Sequence, residues 1–573
     1  MPKAKVGLSW FLSDADKKAR NASESDAHSQ PVPATFKALV NGEEAFGALY
    51  DKIVNAKHSI DIAIWGFQPS MYFKRDGKSL RIGDLLIKKA LEGVKVRVLV
   101  WSMWLDAQTF QEDSTNLGNK NAIGYGRVSK DISKEQMQND TYWYEALKDQ
   151  FHLKYENIRN RMDDDSEATA KLIDNWEKEY KEKWSYLWKI SSDKARLKKI
   201  QYKNRRITFF NGFGKLLKKG GDYADKNLPW MAELTLQASS SHHQKMVLID
   251  YENAQKAVGF VMEHNMLDNY WDRSIHIYGD IKAANMGKNL NTPLQDVSSI
   301  VTGQVLWDLN YNFCQSWDRN GFFDNRGNYD SSENLTKNRS EIQRTQFKPN
   351  PSLGNNGTVL NAQIVRTFDS PRVKDIMKVY LKNIKQTTSY LYTENQYFRW
   401  PKLVEEFLAH WKTMRQGRPG PIHWFAVTNS SDSGIGAGTF TTNNMLKLLG
   451  RQDVMPNVAK NVRLEELEAE RNRISSTNIR GTLGIPAPLD KTTEARLKKL
   501  NEQIAAHKKA VEEAKRKVEK KEDVPEPEED RQFTQKLGYE LKDTPGIKAH
   551  ICTLVADNVW QEVYVHSKVT IMD

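Results

Sequence analysis

Little in this sequence suits a disulfide-stabilised or membrane-spanning protein. The 573 residues include two cysteines, Cys314 and Cys552, which make no disulfide framework and suit synthesis in a reducing compartment. No run of about eighteen apolar residues occurs, so no segment is predicted to span a membrane. Residues 1–12 lack the apolar core of a secretory signal peptide. We therefore expect a chain that is made in the cytoplasm without a signal peptide.

The charge of the chain is unbalanced. Lys and Arg total 85 against 73 Asp and Glu, which gives a formal net charge of +12. A basic chain favours contact with polyanions, either anionic lipid surfaces or nucleic acid, and charge alone does not choose between them. The length predicts a two-lobed body with insertions, because one small hydrophobic core cannot organise so many residues.

The most informative feature is a pattern of eight residues that occurs twice. One copy runs from His243 to Asp250 and the other from His566 to Asp573, and both place His, Lys and Asp at the same relative positions. The apolar run between Lys and Asp predicts a short buried strand. Residues two apart on a strand share a face, so the His and Lys of each copy should point together. If the two strands lie side by side, two imidazoles and two ammonium groups converge.

Such a set of side chains suits phosphoryl transfer. One imidazole can attack phosphorus and form a covalent intermediate, while the other protonates the leaving oxygen. Lys245 and Lys568 can neutralise the non-bridging oxygens without a metal ion. The alternative is that each His caps a strand and each Lys lies at a solvated edge. Because the motif residues include no cluster of carboxylates, Cys or His at ligand spacing, we expect neither a metal nor another cofactor.

The repeated pattern resembles the HKD motif of the phospholipase D superfamily, in the branch with two motifs in one chain. Further segments resemble that branch in the expected order, namely residues 45–67, 85–101, 303–317 and 392–398. The resemblance implies an α/β fold of two α/β/α lobes related by a pseudo-twofold axis. It assigns residues 1–330 to the lobe with the first motif and 331–573 to the lobe with the second.

The resemblance also implies a role for each site residue. His243 is expected to be the nucleophile, and His566 the general acid and then the general base. The lysines of the motifs would hold the phosphoryl oxygens, and the aspartates would orient the histidines from behind. These four residues are Lys245, Lys568, Asp250 and Asp573. The family's phosphate-binding Asn maps onto Asn265, with Glu263 as the competing choice.

Residues 241–245 and 259–272 resemble a narrower group, the phospholipase D-type lipase effectors of bacterial type VI secretion. This resemblance implies an antibacterial toxin that is secreted and acts in the envelope or periplasm of a target cell. The expected partners are membrane phospholipids, a spike component of the secretion machinery and an immunity protein that blocks the site. No nucleic acid is expected as a partner.

The implied function is hydrolysis of glycerophospholipid phosphodiesters through a phosphohistidine. A phosphatidyltransferase, a nucleic-acid phosphodiesterase and an inert half that needs a second polypeptide stay open as alternatives. The last of these arises because the family pattern continues beyond its second motif, whereas this sequence stops at Asp573. A strand at 563–573 would then lack a neighbour. We therefore expect an incomplete second lobe, completed by a continuing chain or a separate C-terminal polypeptide.

Two segments look like helical insertions. Residues 135–205 are helical by composition and end with Trp and Tyr interleaved with Lys and Arg. This suits either a membrane interface or packing of the Trp residues onto the core. Residues 457–530 carry apolar residues at heptad spacing after a central loop, which predicts an antiparallel helical hairpin. Such a hairpin either docks against a partner or is inert.

Overall fold

A computed structural model provides the structure of the chain. It describes residues 7–18, 29–102, 133–147, 181–206, 243–289, 291–318, 333–369, 372–414, 420–430, 437–451, 491–519 and 546–573, with isolated positions in 171–178 and 464–474.

The described residues form an α/β fold, as predicted. The helices are α1 (Asp14–Lys18), α2 (Asn41–Asn55), α3 (Ile82–Leu91), α4 (Lys134–Leu147), α5 (Ser185–Ser192), α6 (Lys194–Leu197), α7 (Val305–Trp317), α8 (Leu335–Asn338), α9 (Asp375–Asn383), α10 (Pro401–Met414), α11 (Ala437–Leu448) and α12 (Lys491–Glu519). The strands are β1 (Val32–Val40), β2 (Ser59–Ile64), β3 (Lys95–Ser102), β4 (Ile200–Arg206), β5 (Met246–Ile249), β6 (Val258–Val261), β7 (Leu294–Gln295), β8 (Val297–Gly303), β9 (Thr358–Ala362), β10 (Thr367–Asp369), β11 (Arg372–Lys374), β12 (Tyr390–Asn395), β13 (Ile422–Val427), β14 (Ile547–Cys552), β15 (Leu554–Val555), β16 (Glu562–Val565) and β17 (Lys568–Met572).

The chain divides into two compact units. Of the described residues, those within 7–206, 243–379 and 555–569 form unit 1, and those within 380–554 and 570–573 form unit 2. The predicted boundary at residue 330 therefore differs from the observed division. The reason is strand pairing: β9 adds to β1 at the edge of the unit 1 sheet, and β16 pairs with β7. The pseudo-twofold relation between two lobes stays a prediction.

Unit 1 is built on an eight-stranded sheet in the order β4-β3-β2-β5-β6-β8-β1-β9. Strands β2, β3 and β4 are parallel to their neighbours in this series, and the remaining pairs are antiparallel. Helices α2 and α3 cover one face with side chains such as Phe46 and Leu86, and α7 covers the other with Leu309 and Phe313. Because both faces are covered, every residue of β2 is buried.

Unit 2 contains a four-stranded sheet in the order β14-β13-β12-β17. Strands β12, β13 and β14 run parallel, as β2, β3 and β4 do in unit 1. Phe407 of α10 and Met445 of α11 pack with Trp424 of β13 on one face. Strand β17 lies at the end of the strand order among the described residues. The proposed completion by another polypeptide stays a prediction.

The first predicted insertion is helical in α4, α5 and α6, but it ends in a strand. The prediction of helix up to residue 205 is wrong, because Ile200–Arg206 form β4 and pair in parallel with β3. Trp184 is buried and packs edge-on against Tyr142. This matches the alternative in which the Trp residues pack onto the core.

In the second predicted insertion, Leu467 packs with Leu500 and Ile504. Ion pairs Arg496–Glu470 and Lys508–Glu468 join the same two segments. Val511 and Val518, two of the apolar residues at heptad spacing, lie outside the described side chains. No helix among the described residues is long and apolar enough to cross a membrane.

Candidate active site

The first motif enters the site directly before strand β5. His243 and Lys245 precede Met246, the first residue of β5, and both belong to unit 1. The N–H of Met262 donates to the carbonyl of Lys245 at 3.0 Å, which holds this end of the motif against the strand that follows β5. Lys245 is buried, and its Nζ lies 3.3 Å from His243 Nε2. The His and Lys of the first copy therefore point together, as the spacing predicts.

The second motif is positioned beside the first by the pairing of the strand that precedes it. Strand β16 pairs with β7, and the N–H of His566 donates to the carbonyl of Gln295 at 2.9 Å. The buried His566 ring then lies 5.9 Å from the His243 ring between centroids, at an interplanar angle of 79°. Strand β5 pairs with β2 and β6, whereas β17 pairs with β12 in another sheet. The two histidines thus meet without the side-by-side motif strands considered from the sequence.

Two lysines and two carboxylates surround the two imidazoles. Lys568 Nζ lies 3.5 Å from Glu263 Oε2. Burial, followed by the charge of Lys568, lowers the pKa of Lys245 to about 7. Burial raises the pKa of Glu263, although Lys568 and Lys245 act in the opposite direction. The positive charge of the two lysines is therefore partly balanced by two carboxylates, Glu263 and Asp296, which both act to raise the pKa of Lys245.

The pKa of each imidazole is lowered, which favours the neutral ring. Burial, followed by the charges of Lys568 and Lys245, places the pKa of His566 well below its usual range. The pKa of His243 is lowered in the same direction, by lost hydration and then by Lys245 and Lys568. His243 also keeps exposed surface, so its ring is open to a substrate. A neutral imidazole has a free lone pair, which a nucleophile needs.

Asp296 is the site residue that the sequence did not reveal. It lies between β7 and β8, is fully buried, and its Oδ2 lies 2.8 Å from His566 Nδ1. Asn41 holds it in place: the N–H of Asn41 donates to the Asp296 carbonyl, and Asn41 Oδ1 accepts the N–H of Asp296. Asn41 has a φ of 61°, a left-handed conformation that Asn tolerates better than most residues. A single Asp between two strands carries no motif that could have identified it.

The predicted role of Asp250 and Asp573 is wrong in this structure. Asp250 accepts backbone N–H groups of Lys57, His58 and Ser59, at 2.6–3.2 Å, directly before β2. In unit 2, Asp573 accepts the N–H groups of residues 388–390, directly before β12. Partial burial acts to raise the pKa of Asp573, but these N–H groups outweigh it and lower the value to about 2. Each carboxylate therefore caps a strand instead of orienting a histidine.

We predict that Asp250→Asn destabilises the protein without abolishing the chemistry. An amide offers one acceptor oxygen and no charge, so the N–H groups before β2 lose charge-assisted bonds, at a cost of about 2–4 kcal/mol. The midpoint of thermal unfolding should fall by several degrees. The matched control is Asp51→Asn, which breaks only the exposed pair with Lys74 and should change the midpoint by about one degree at most. Equal midpoints for the two variants would contradict the capping role.

The two candidate phosphate ligands differ in their surroundings. Glu263 contacts Lys568, as described above, whereas no hydrogen bond joins Asn265 to either motif among the described residues. Asn265 is fully buried, and both polar atoms of its amide lack partners there. Its neighbour His264 donates to or accepts from Ser298 Oγ through Nδ1 at 2.7 Å. The assignment of phosphate binding to Asn265 or Glu263 stays a prediction.

The described residues contain no group of three or more His, Cys, Asp or Glu side chains arranged to hold a metal ion.

No family model matches this chain. Phospholipase D alpha 2 of Brassica oleracea var. capitata is 22% identical over 404 residues, which cover 61% of this chain and 38% of that protein. The chain is similar to plant phospholipases D. Phospholipase D alpha 2 of Arabidopsis thaliana is likewise 22% identical over 402 residues, with 61% and 38% covered. These similarities support a place in the phospholipase D superfamily, in agreement with the repeated motif.

The chain spans 38% of the length of these curated relatives. Among solved structures, phosphatidylserine synthase of Haemophilus influenzae Rd KW20 is similar over 79% of this chain and 72% of that one, with 11% identity and a TM-score of 0.33.

Proposed function

We propose that the chain hydrolyses the distal phosphodiester bond of glycerophospholipids through a covalent phosphohistidine. The observation that supports this proposal is the meeting of His243 with His566, at 5.9 Å between ring centroids, beside Lys245 and Lys568. Two imidazoles at this separation can act on opposite sides of one phosphorus atom. The distant similarity to plant phospholipases D supports the same chemistry.

The reaction has two steps. In the first, an imidazole nitrogen of His243 forms a bond to phosphorus, the bond from phosphorus to the head-group oxygen breaks, and His566 donates a proton to that oxygen. In the second, His566 takes a proton from water, the resulting hydroxide attacks phosphorus, and the bond to His243 breaks. Both proton transfers use the same ring, first as acid and then as base. The ammonium groups of Lys245 and Lys568 neutralise the non-bridging oxygens throughout.

Substrate binding prepares His566 for its role as an acid. In the free site Lys568 and Lys245 disfavour a third positive charge on that ring. A bound phosphodiester brings a negative charge next to the lysines and cancels much of their effect, so the pKa of His566 rises, although burial, the largest cause of its lowering, persists. The carboxylate of Asp296, 2.8 Å away, then favours the protonated ring. Protonation of the general acid is thereby coupled to the presence of substrate.

Glu263 adjusts the charge of the site. Its contact with Lys568 leaves less than two full positive charges facing the phosphorus centre. A phosphodiester carries one negative charge at neutral pH, whereas a phosphomonoester carries between one and two. The balance of charge therefore supports a diester as the substrate and allows the monoester product to leave.

The test measures head-group release by the purified chain in excess EDTA. Vesicles of phosphatidylcholine or phosphatidylethanolamine should yield choline or ethanolamine, at an undiminished rate because the proposed steps use only side chains of the protein. Supercoiled plasmid in a parallel reaction should stay intact, and an added primary alcohol distinguishes transfer from hydrolysis. Nicking of plasmid without head-group release would contradict the proposal. Loss of activity in EDTA, restored by one specific cation, would show a metal requirement.

We also propose a biological setting for this activity. A phospholipase delivered by type VI secretion would act on membrane phospholipids in the envelope or periplasm of a target cell. Its producer would need an immunity protein that blocks the site around His243 and His566, and delivery would need a spike component of the secretion machinery. Growth inhibition of a neighbouring strain that lacks the immunity gene, abolished by His243→Ala in the attacker, tests this setting.

A further inference from the structure

Five large apolar side chains of unit 1 are exposed on two loops. Loop A comprises residues 273–287 and loop B residues 556–561. The most exposed of the five is Trp560, with 78% of its surface accessible, and Met286 follows with 55%. We call this set the apolar tip; its members are Ile275, Ile281, Met286, Val559 and Trp560. Isolated exposed apolar residues are ordinary, but several on adjoining loops indicate a binding surface.

The two loops are bonded to each other and anchored at their bases. The N–H of Tyr278 donates to Asn558 Oδ1 at 3.0 Å, and Asn558 Nδ2 donates back to the Tyr278 carbonyl at 2.9 Å. Asp272 holds both ends of loop A, through His276 Nδ1 at 3.2 Å and Lys288 Nζ at 3.0 Å. The apolar tip is therefore presented by a braced pair of loops.

The apolar tip is connected to the candidate active site by short covalent and hydrogen-bonded paths. Trp560 precedes His566 by six positions, so the two residues are at most about 22 Å apart. Gln295 links loop A to the backbone of His566, because its Oε1 lies 3.0 Å from His276 Nε2 and its carbonyl accepts the backbone N–H of His566. A surface that rests on the tip is thus within reach of the phosphorus chemistry.

We propose that the apolar tip inserts into the interface of a phospholipid bilayer and holds the site at the level of the head groups. This inference rests on the proposed function, which requires access to a phosphodiester in a membrane. Trp is the side chain that best suits the boundary between head groups and acyl chains, and Ile, Met and Val bury well beneath it. The charged side chains of loop A are in ion pairs, since Lys282 Nζ lies 2.7 Å from Asp280 and Arg273 Nε lies 3.2 Å from Glu43. Insertion should therefore occur in zwitterionic bilayers.

The test is cosedimentation with phosphatidylcholine vesicles. The variant Trp560→Ser/Met286→Ser should lower the partition coefficient by about tenfold or more, because both side chains lose their apolar contact with the bilayer. Hydrolysis of a short-chain phosphatidylcholine dissolved as monomers should stay at the wild-type rate. The control variant Leu8→Ser/Val359→Ser removes two apolar residues that are also exposed, at 72% and 56%, but lie outside loops A and B. It should partition like the wild type.

Each result of the vesicle experiment either supports or contradicts the proposal. A wild-type chain that does not sediment with the vesicles, or a tip variant that binds as well as the control, overturns the apolar tip as a bilayer-binding surface. A tip variant that stays on the vesicles but no longer self-associates shows a contact between copies of the chain instead. If binding falls in the tip variant while even the wild type hydrolyses neither vesicles nor monomers, the surface stands and the proposed function fails.

Discussion

His243→Ala should lower phosphodiester hydrolysis by about three orders of magnitude or more, because the covalent route disappears with the nucleophile. The fold should persist. The His243 ring contacts only the side chains of Trp65, His566 and Lys245 among the described residues, and it lies outside the apolar core that β5 forms. Steady-state rates and circular dichroism measure the two effects. His58→Ala is the matched control. His58 is exposed, and its bond to Asp250 comes from its backbone N–H, which the substitution retains.

A substrate with a better leaving group separates the roles of the two histidines. A substrate with a nitrophenolate leaving group needs no general acid for the first step but still needs a general base for the second. With this substrate, His566→Ala should therefore accumulate a phosphoryl ester bound to His243, and mass spectrometry of the quenched enzyme locates the modified residue. A phosphoryl group found on His566 in the wild type would reverse the assignment. A fall of tenfold or less in His243→Ala would contradict covalent catalysis at this residue.

The second large effect is expected for Asp296→Asn, which should lower kcat by about 100-fold to 1000-fold. The carboxylate favours the protonated form of His566 through the 2.8 Å contact, so its loss lowers the pKa of that ring in the substrate complex. A general acid is inactive above its pKa. The alkaline limb of the pH profile of kcat should consequently move to lower pH, by about one unit.

Asp308→Asn provides the matched control for this variant. Asp308 is also a buried carboxylate with a charged partner, Arg344 at 2.6 Å, and it lies on α7 among residues that cover the sheet. Both substitutions cost packing and hydrogen bonding, but the one at Asp308 should leave the pH profile unchanged. If the two variants lose kcat equally and neither shifts the profile, Asp296 acts only in folding.

The local parts of the site followed from the sequence. The spacing of His243 and Lys245 and the apolar run after them predicted that the two side chains point together beside a buried strand, and both features are present. Such predictions succeed because backbone geometry over a few residues determines them. The repeated motif also indicated the phospholipase D superfamily, which the similarity to plant phospholipases D supports.

Partners that are distant in the chain could not be inferred in this way. Asp296 and His566 are 270 positions apart, and Asp250 reaches N–H groups about 190 positions away. The family resemblance implied an orienting role for the aspartates inside the motifs, but a carboxylate next to open backbone N–H groups at a strand start is stabilised there by several bonds at once. The pairing of β9 and β16 with strands of unit 1 likewise could not be inferred from the sequence. Because of it, the division between the units differs from the predicted boundary at residue 330.

Two tryptophans show that the sequence alone did not distinguish buried from exposed aromatic residues. Trp184 lies in the basic, aromatic segment that suggested a membrane interface, yet it is buried in the core. Trp560 has no such surroundings in the sequence and is the exposed one, at the end of a braced loop. The motif, the short strands and the chemistry of the site are determined by residues close in the chain. Which carboxylate meets which imidazole, and which apolar side chain faces water, depends on the packing of strands and loops from distant parts of the chain.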